Sequence, residues 1–222
     1  MKKVLASLTI LAAIGALLLS GQPRANAEVE LQAGDLIRGQ TFSAVYYMGA
    51  DGFRYVFPNL NTYKSWYGED FSGVVWVTDA QLSGIQIGGN VTYKPGTRMI
   101  KIDTDPKTYA PGPNGTLHHV TSEQVARDLY GTNWNKEIDD MPDGFFTNYT
   151  IADAINNASE FNRTSLQAQA TSINVDRELQ APAEVSITDV HYSPNSITID
   201  INQTVRFTND GTENHTATSD DL

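Results

Sequence analysis

The sequence predicts a mainly β fold with short helices: a duplicated hairpin–helix module, a linker, and then the opening strands of an incomplete β-sandwich. Three observations carry this. The chain matches itself without gaps at an offset of 63 residues. Two strong hairpin signals, Asp51-Gly52 and Asn114-Gly115, fall in step at that offset. From Glu184 onward apolar and polar residues alternate, the period of a half-buried strand.

The first element precedes all of these. Met1-Lys2-Lys3 is followed by an apolar run from Val4 to Leu19, interrupted by Ser7, Thr9 and Gly15, and then by Ala25-Asn26-Ala27. A short basic head, an apolar stretch and an A-x-A site describe a secretory signal peptide over residues 1–27, cut before Glu28. A retained transmembrane anchor is the alternative, although the run is short for a bilayer core that takes about 20 residues. No second apolar run follows, so the expected mature protein has no transmembrane segment and is exported: extracellular, periplasmic or at the cell surface.

Composition narrows the function classes. Among 222 residues there are 26 acidic and 15 basic, a net charge of −11, and loss of Lys2, Lys3 and Arg24 with the leader makes the mature chain more acidic still. Such a surface disfavours nucleic acid and anionic lipid. The absence of Cys removes disulfides, thiol catalysis and thiolate ligation from this chain.

The duplicated module spans residues 28–161, with repeats at about 34–95 and 97–158. Leu36-Ile37-Arg38 falls on Met99-Ile100-Lys101, Tyr46 on Tyr109, and Trp66-Tyr67-Gly68 on Leu129-Tyr130-Gly131. Val75 falls on Ile138 and Leu82 on Phe145. In each copy aromatic and β-branched residues flank the turn: Val45–Met48 and Phe53–Phe57 in the first, Thr108–Ala110 and Leu117–Val120 in the second. A helix should follow each hairpin. Ser122 as N-cap and Gly131 as terminator bound the second, and Asn61 to Tyr67 closed by Gly68 is the first. Pro95-Gly96 marks the seam, and a last helix is expected over about 151–161. Two such units are expected to bury one shared core. The strings VYYMGADGFRYVFPN (45–59) and YKSWY (63–67) resemble a duplicated domain of uncharacterised exported bacterial proteins. That resemblance covers about residues 34–151 and implies an envelope setting, with no known activity.

Residues 162–183 are polar and small, without a clear period, and read as an interdomain linker ending in Ala181-Pro182-Ala183. Beyond it, Val185 and Ile187 form one apolar row and Tyr192-Ser193-Pro194 a turn. Ile197, Ile199 and Ile201 predict a second strand, Asn202-Gln203 another turn, and Val205 and Phe207 a third strand.

The run VSITDVHYSPNSITIDINQTVRFTNDGTENHTATSDD resembles the opening of the cupredoxins, the plastocyanin- and azurin-like blue copper proteins. Tyr192 stands at the family's aromatic position and Asn202 where Gly is usual. The resemblance covers about 184–222 and implies the opening strands of a cupredoxin β-sandwich, copper as cofactor, electron transfer as function and a redox protein as partner. It makes His215 the first copper ligand. The remaining family ligands are a Cys, a second His and a Met near the end of the domain. This chain ends at Leu222 without Cys, and its Met residues are Met1, Met48, Met99 and Met141, all upstream. The expectation is therefore a truncated domain, from a fragment or a frameshift, which by itself forms no type 1 copper site.

Other candidates read as structural. His118-His119 on one strand point to opposite faces and do not chelate together, and His191 reads as a surface residue. Asp103 with Asp105, and the cluster Asp139, Asp140 and Asp143, could offer calcium ligands, but without EF-hand spacing they read as solvated loops. The aromatics Tyr46, Tyr47, Tyr55, Tyr63, Trp66, Tyr67 and Trp76 read as core, with a sugar-stacking platform as the alternative. No catalytic constellation is present in the sequence, which points away from an enzyme. Two functions stay open: copper-based electron transfer in the intact protein, or a non-enzymatic module that binds envelope polysaccharide or protein and carries a vestigial tail.

Overall fold

A computed structural model describes residues 28–217; the expected leader, 1–27, lies outside them. The described chain is mainly β with short helices, arranged as three small mixed sheets. The first unit runs β1 (Leu36–Arg38), β2 (Tyr46–Met48), β3 (Arg54–Val56), α1 (Leu60–Tyr67), β4 (Val74–Trp76), α2 (Asp79–Gly84) and β5 (Ile87–Asn90). The second runs β6 (Met99–Ile102), β7 (Asp105–Pro111), β8 (Thr116–Val120), α3 (Glu123–Tyr130), β9 (Ile138–Asp140) and β10 (Thr150–Ile155). Their sheets have the orders β4-β1-β2-β3-β5 and β10-β8-β7-β6-β9. Read from opposite ends these are one connectivity.

The agreement extends to single residues. Ile37 pairs with Tyr46 and Ile100 with Tyr109; Tyr47 pairs with Tyr55 and Ala110 with His118. The hairpin glycines Gly52 and Gly115 both take positive φ, as tight turns demand. Asn59 caps α1 by accepting from Thr62 N at 2.8 Å, and Ser122 caps α3 by accepting from Val125 N at 3.3 Å. Such caps satisfy backbone donors that a first helical turn leaves unpaired, worth about 1 kcal/mol each. Gly68 and Gly131 end these helices, donating to Lys64 O and Arg127 O. All these pairs stand 63 residues apart.

Strand alternation gives each sheet two apolar faces. Leu36, Tyr47, Phe57 and Tyr63 pack under α1, while Ile37, Met48, Val77 and Leu82 pack on the α2 side. In the second unit Met99, Val120, Val125 and Ala126 pack under α3, and Ile100, Tyr109, Leu117 and Met141 pack on the opposite face. The shared core expected from the sequence does not form. Each sheet buries both of its own faces, and the connector between units serves both: Val91 lies in the first core and Tyr93 in the second.

Two further expectations give way. Residues 151–161 form β10 and a 3-10 turn (Ala158–Glu160) in place of a helix, because β8 offers a parallel edge that Thr150–Ile155 fills. The segment expected as a linker carries α4 (Arg163–Gln169) and α5 (Ile173–Asp176). Arg163 donates to the carbonyls of Gly96, Leu129 and Thr97 and lies 3.7 Å over the Tyr130 ring. Ile173 is fully buried in the first core. This strap therefore staples the two units. At the seam Gly96 has φ +70, and a Cβ there would stand 2.7 Å from Arg163 O, so the strap needs glycine at that position.

The third sheet holds β11 (Ala183–Ile187), β12 (Tyr192–Ser193) and β13 (Val205–Asn209), with β11 central, antiparallel to β12 and parallel to β13. Val185 and Ile187 are buried, as the alternation predicts. The strand expected over Ile197–Ile201 is absent among the described residues. No neighbouring ladder receives its backbone, and a strand needs one. Ile197, Ile199, Ile201 and Phe207 are exposed, Ile201 to 90%.

Candidate functional site

His215 follows the third sheet and is held by two ties. The first is the Asp189 carboxylate, which closes the turn after β13. It accepts from Thr212 N at 2.7 Å, Glu213 N at 2.9 Å and Thr212 Oγ1 at 2.9 Å. These hydrogen bonds hold the Asp189 carboxyl down at about 2, below its ordinary value. Gly211 is required here, since a Cβ would collide with Asp189 Oδ1. The second tie is Tyr192 Oη, which donates to Thr216 O at 3.0 Å. Asn202 takes the left-handed conformation, φ 67, at the position where the family resemblance places Gly.

The imidazole itself is mostly buried. Its Nε2 stands 3.5 Å from Asp189 Oδ1, within ion-pair range but without hydrogen-bond geometry, and has no hydrogen-bond partner among the described residues. An orphaned ring nitrogen suits one metal ligand. It does not make a blue copper site. That group needs a thiolate and a second imidazole, and the chain has no Cys. Among the described residues no three His, Asp or Glu side chains are grouped to hold a metal ion.

The other sequence candidates are separated by the fold. His118 Nδ1 lies 2.8 Å from Asp153 O, whereas the His119 ring packs 5.9 Å from Tyr109. His191 is exposed beside Thr188. Asp105 accepts from Lys107 N and Tyr109 Oη, and Asp139 pairs with Arg98 at 2.9 Å and accepts from Tyr93 Oη. Asp140 pairs with Lys101, while Asp103 and Asp143 are exposed. Of the aromatics, Tyr47, Tyr55 and Tyr63 are buried; Tyr46, Trp66 and Tyr67 are half-buried. Trp76 is exposed, but the Arg38 guanidinium stands 3.9 Å over its ring.

Two polar groups with long-range roles in the structure are invisible to the pattern of the sequence. Asp189 acts on residues more than 20 positions away, and nothing in its neighbourhood marks it. Asp176 lies in the strap, buried, accepting from Asn114 N at 3.1 Å while its Oδ2 has no partner. Burial pushes its carboxyl up to about 6.

No helix among the described residues is long and apolar enough to cross a membrane. Comparison with models of known protein families, with curated proteins and with solved structures finds no match to this chain.

Proposed function

We propose that this chain belongs to an exported protein in which a duplicated module precedes a cupredoxin domain, and that the intact domain binds copper for electron transfer with His215 as its first ligand. The observation that carries the reading is the state of the third sheet. Phe207 in the sheet and Ile197, Ile199 and Ile201 in the loop before its last strand are exposed, and Nε2 of His215, buried and without a hydrogen-bond partner among the described residues, lies just beyond that strand. Asn202 in a glycine-type conformation adds to the family resemblance. Duplication is supported by the common strand order, ladder register and caps at one offset.

The test is the coding sequence beyond codon 222. A frame that continues with Cys, His and Met in that order is expected, and its product loaded with copper should absorb intensely through thiolate-to-copper charge transfer. His215→Ala should abolish that band. A frame without Cys and a second His overturns the proposal.

A second reading, a non-enzymatic module binding envelope polysaccharide or protein, is favoured by a specific observation: each unit opens a surface cleft at the same place, between its helix and the strand before its hairpin turn. Co-sedimentation of the chain with isolated envelopes tests it.

A further inference from the structure

The third sheet ends on an unpaired edge. Its order is β12-β11-β13, so β13 has a neighbouring strand on one side only. The ladder with β11 fixes which of its backbone groups are free. Ala183 N donates to Thr204 O, and Asp210 N donates to Ile187 O. With Ala183 opposite Val205 and Ile187 opposite Asn209, the backbone groups of Thr204, Arg206, Thr208 and Asp210 turn towards β11. Those of Val205, Phe207 and Asn209 turn outward, where no strand lies among the described residues. The edge is open: Arg206, Phe207, Thr208 and Asn209 are exposed, and a cleft of about 440 Å³ lies between Val205 and Phe207 on one side and Phe53 and Ile85 of the first unit on the other.

The same chain carries a strand pattern with no ladder. Ile197, Ile199 and Ile201 alternate with Thr198 and Asp200 in the exposed loop before β13. Laid antiparallel to β13 with Ile199 opposite Phe207, this segment matches the edge at four positions. Ile201 falls on Val205, Thr198 on Thr208, and the carboxylate of Asp200 on the guanidinium of Arg206. The isoleucines then share the face of Val205 and Phe207, which is also the face of buried Val185. Apolar, Thr–Thr and opposite-charge pairs across strands each stabilise a sheet by about 0.2–1 kcal/mol. A slip of one residue turns every isoleucine to the other face. A slip of two sets Asp200 opposite Thr204 or Thr208 and loses the charge match.

Within one chain the connecting turn directs the segment away from this edge. Gln203 N donates to Asp200 O at 3.1 Å, which closes a turn over Asp200–Gln203. Its third residue, Asn202, has φ 67, and the second, Ile201, does not take positive φ. Tight hairpins need positive φ at the second residue, and a turn of the present kind splays the strands that flank it. Thr204, bound to Ala183, fixes the far side of the turn. A second copy is free of that constraint, and exchange of the same segment in both directions closes a two-fold pair. We propose that this chain self-associates by reciprocal strand exchange: Ile197–Ile201 of each copy adds antiparallel to the β13 edge of the other, with Asp200 facing Arg206. The interface is independent of copper and of His215.

Sedimentation equilibrium of the full chain is the test. A monomer–dimer equilibrium is expected, with a Kd of about 1–100 μM, the range of a small interface. Ile199→Lys, in the exposed loop, should weaken it at least tenfold. Phe207→Pro, which removes an outward N–H and leaves the β11 ladder intact, should do the same. Asp200→Lys sets like charges opposite each other and should weaken it about threefold or more. Lys136→Ala, exposed on the second unit, should leave it unchanged. Circular dichroism checks the fold of Phe207→Pro; should that variant misfold, Ile199→Lys and Asp200→Lys carry the test. The chain has no Cys, so added thiols report the register. Ile199→Cys and Phe207→Cys, mixed in equal amounts and oxidised with diamide, should give a disulfide-linked pair in far higher yield than either alone. A chain that stays monomeric at about 0.5 mM overturns the proposal. So does a dimer undiminished by Ile199→Lys and Asp200→Lys, or a mixture without the 199–207 link. In the double Cys variant, a link formed within one chain would show the segment folding back on its own edge, and that too overturns it.

Discussion

The sheets of the first two units and the sheet at the C-terminus are built by the same alternation of apolar and polar residues, yet only the former are finished. Every buried strand residue of the first two sheets has helix, turn or strap packed against it. In the third sheet Val185 and Ile187 are covered, while Phe207, beside Val185 on the neighbouring strand, is exposed, as are Ile199 and Ile201 in the loop before that strand. Alternation therefore specifies which side of a strand is apolar, and coverage is a separate property that only a second layer supplies. The strap shows the converse. Its sequence has no period and reads as a connector, but its Ile173 completes the core of the first unit and its Arg163 ties down carbonyls of the second.

Five substitutions would break or sharpen this contrast. The largest effect is expected from Ile173→Ala, which empties a fully buried site in the first core. A loss of about 3 kcal/mol in denaturant unfolding should follow. A loss below about 1 kcal/mol would mean that the strap lies on the core without completing it.

Asp176→Asn comes next and has the opposite sign. The folded-state carboxyl titrates at about 6, above its ordinary 3.8. Between those values the folded chain holds a proton that the unfolded chain has released, so stability falls as pH rises from about 4 to 6. The penalty is complete above that window. The neutral amide keeps an acceptor for Asn114 N, so the variant should gain about 1–3 kcal/mol at pH 7 and almost nothing at pH 4. Equal gains at both pH values in thermal unfolding would remove charge burial as the cause.

The paired caps test the likeness of the two units. Asn59→Ala and Ser122→Ala should each cost about 1 kcal/mol and add in the double variant. A cost confined to one of them would show that the units share connectivity without sharing energetics. Smallest of all is Ile201→Ser, at an exposed turn before β13, which should change stability by less than about 0.5 kcal/mol. A loss above about 1 kcal/mol would reveal a covering layer.

Local features were legible in the sequence and distant ones were not. The hairpins at Asp51-Gly52 and Asn114-Gly115 and the helix bounded by Ser122 and Gly131 were readable because turn and cap chemistry acts over two to four residues. The helix expected over 151–161 became β10 because Ile151 and Ile155 fit either period, and the edge of β8, some 35 residues earlier in the chain, decided between them. The strand expected at Ile197–Ile201 had the right pattern and no neighbour. At the candidate site, the resemblance marked His215 from its local motif. Its support by Asp189 and the burial of Asp176 depend on contacts across 23 to 62 residues. Periodicity carries no record of these.

The position of the strap also sets a timetable. Arg163 reaches back to carbonyls 66 and 67 positions earlier, and Ile173 fills a core whose first strand begins at Leu36. A ribosome adds about 5–20 residues per second. The N-terminal sheet therefore waits several seconds, with its last core side chain still unmade, before it can close. During that interval the half-built unit offers an open apolar hollow to whatever holds the nascent chain.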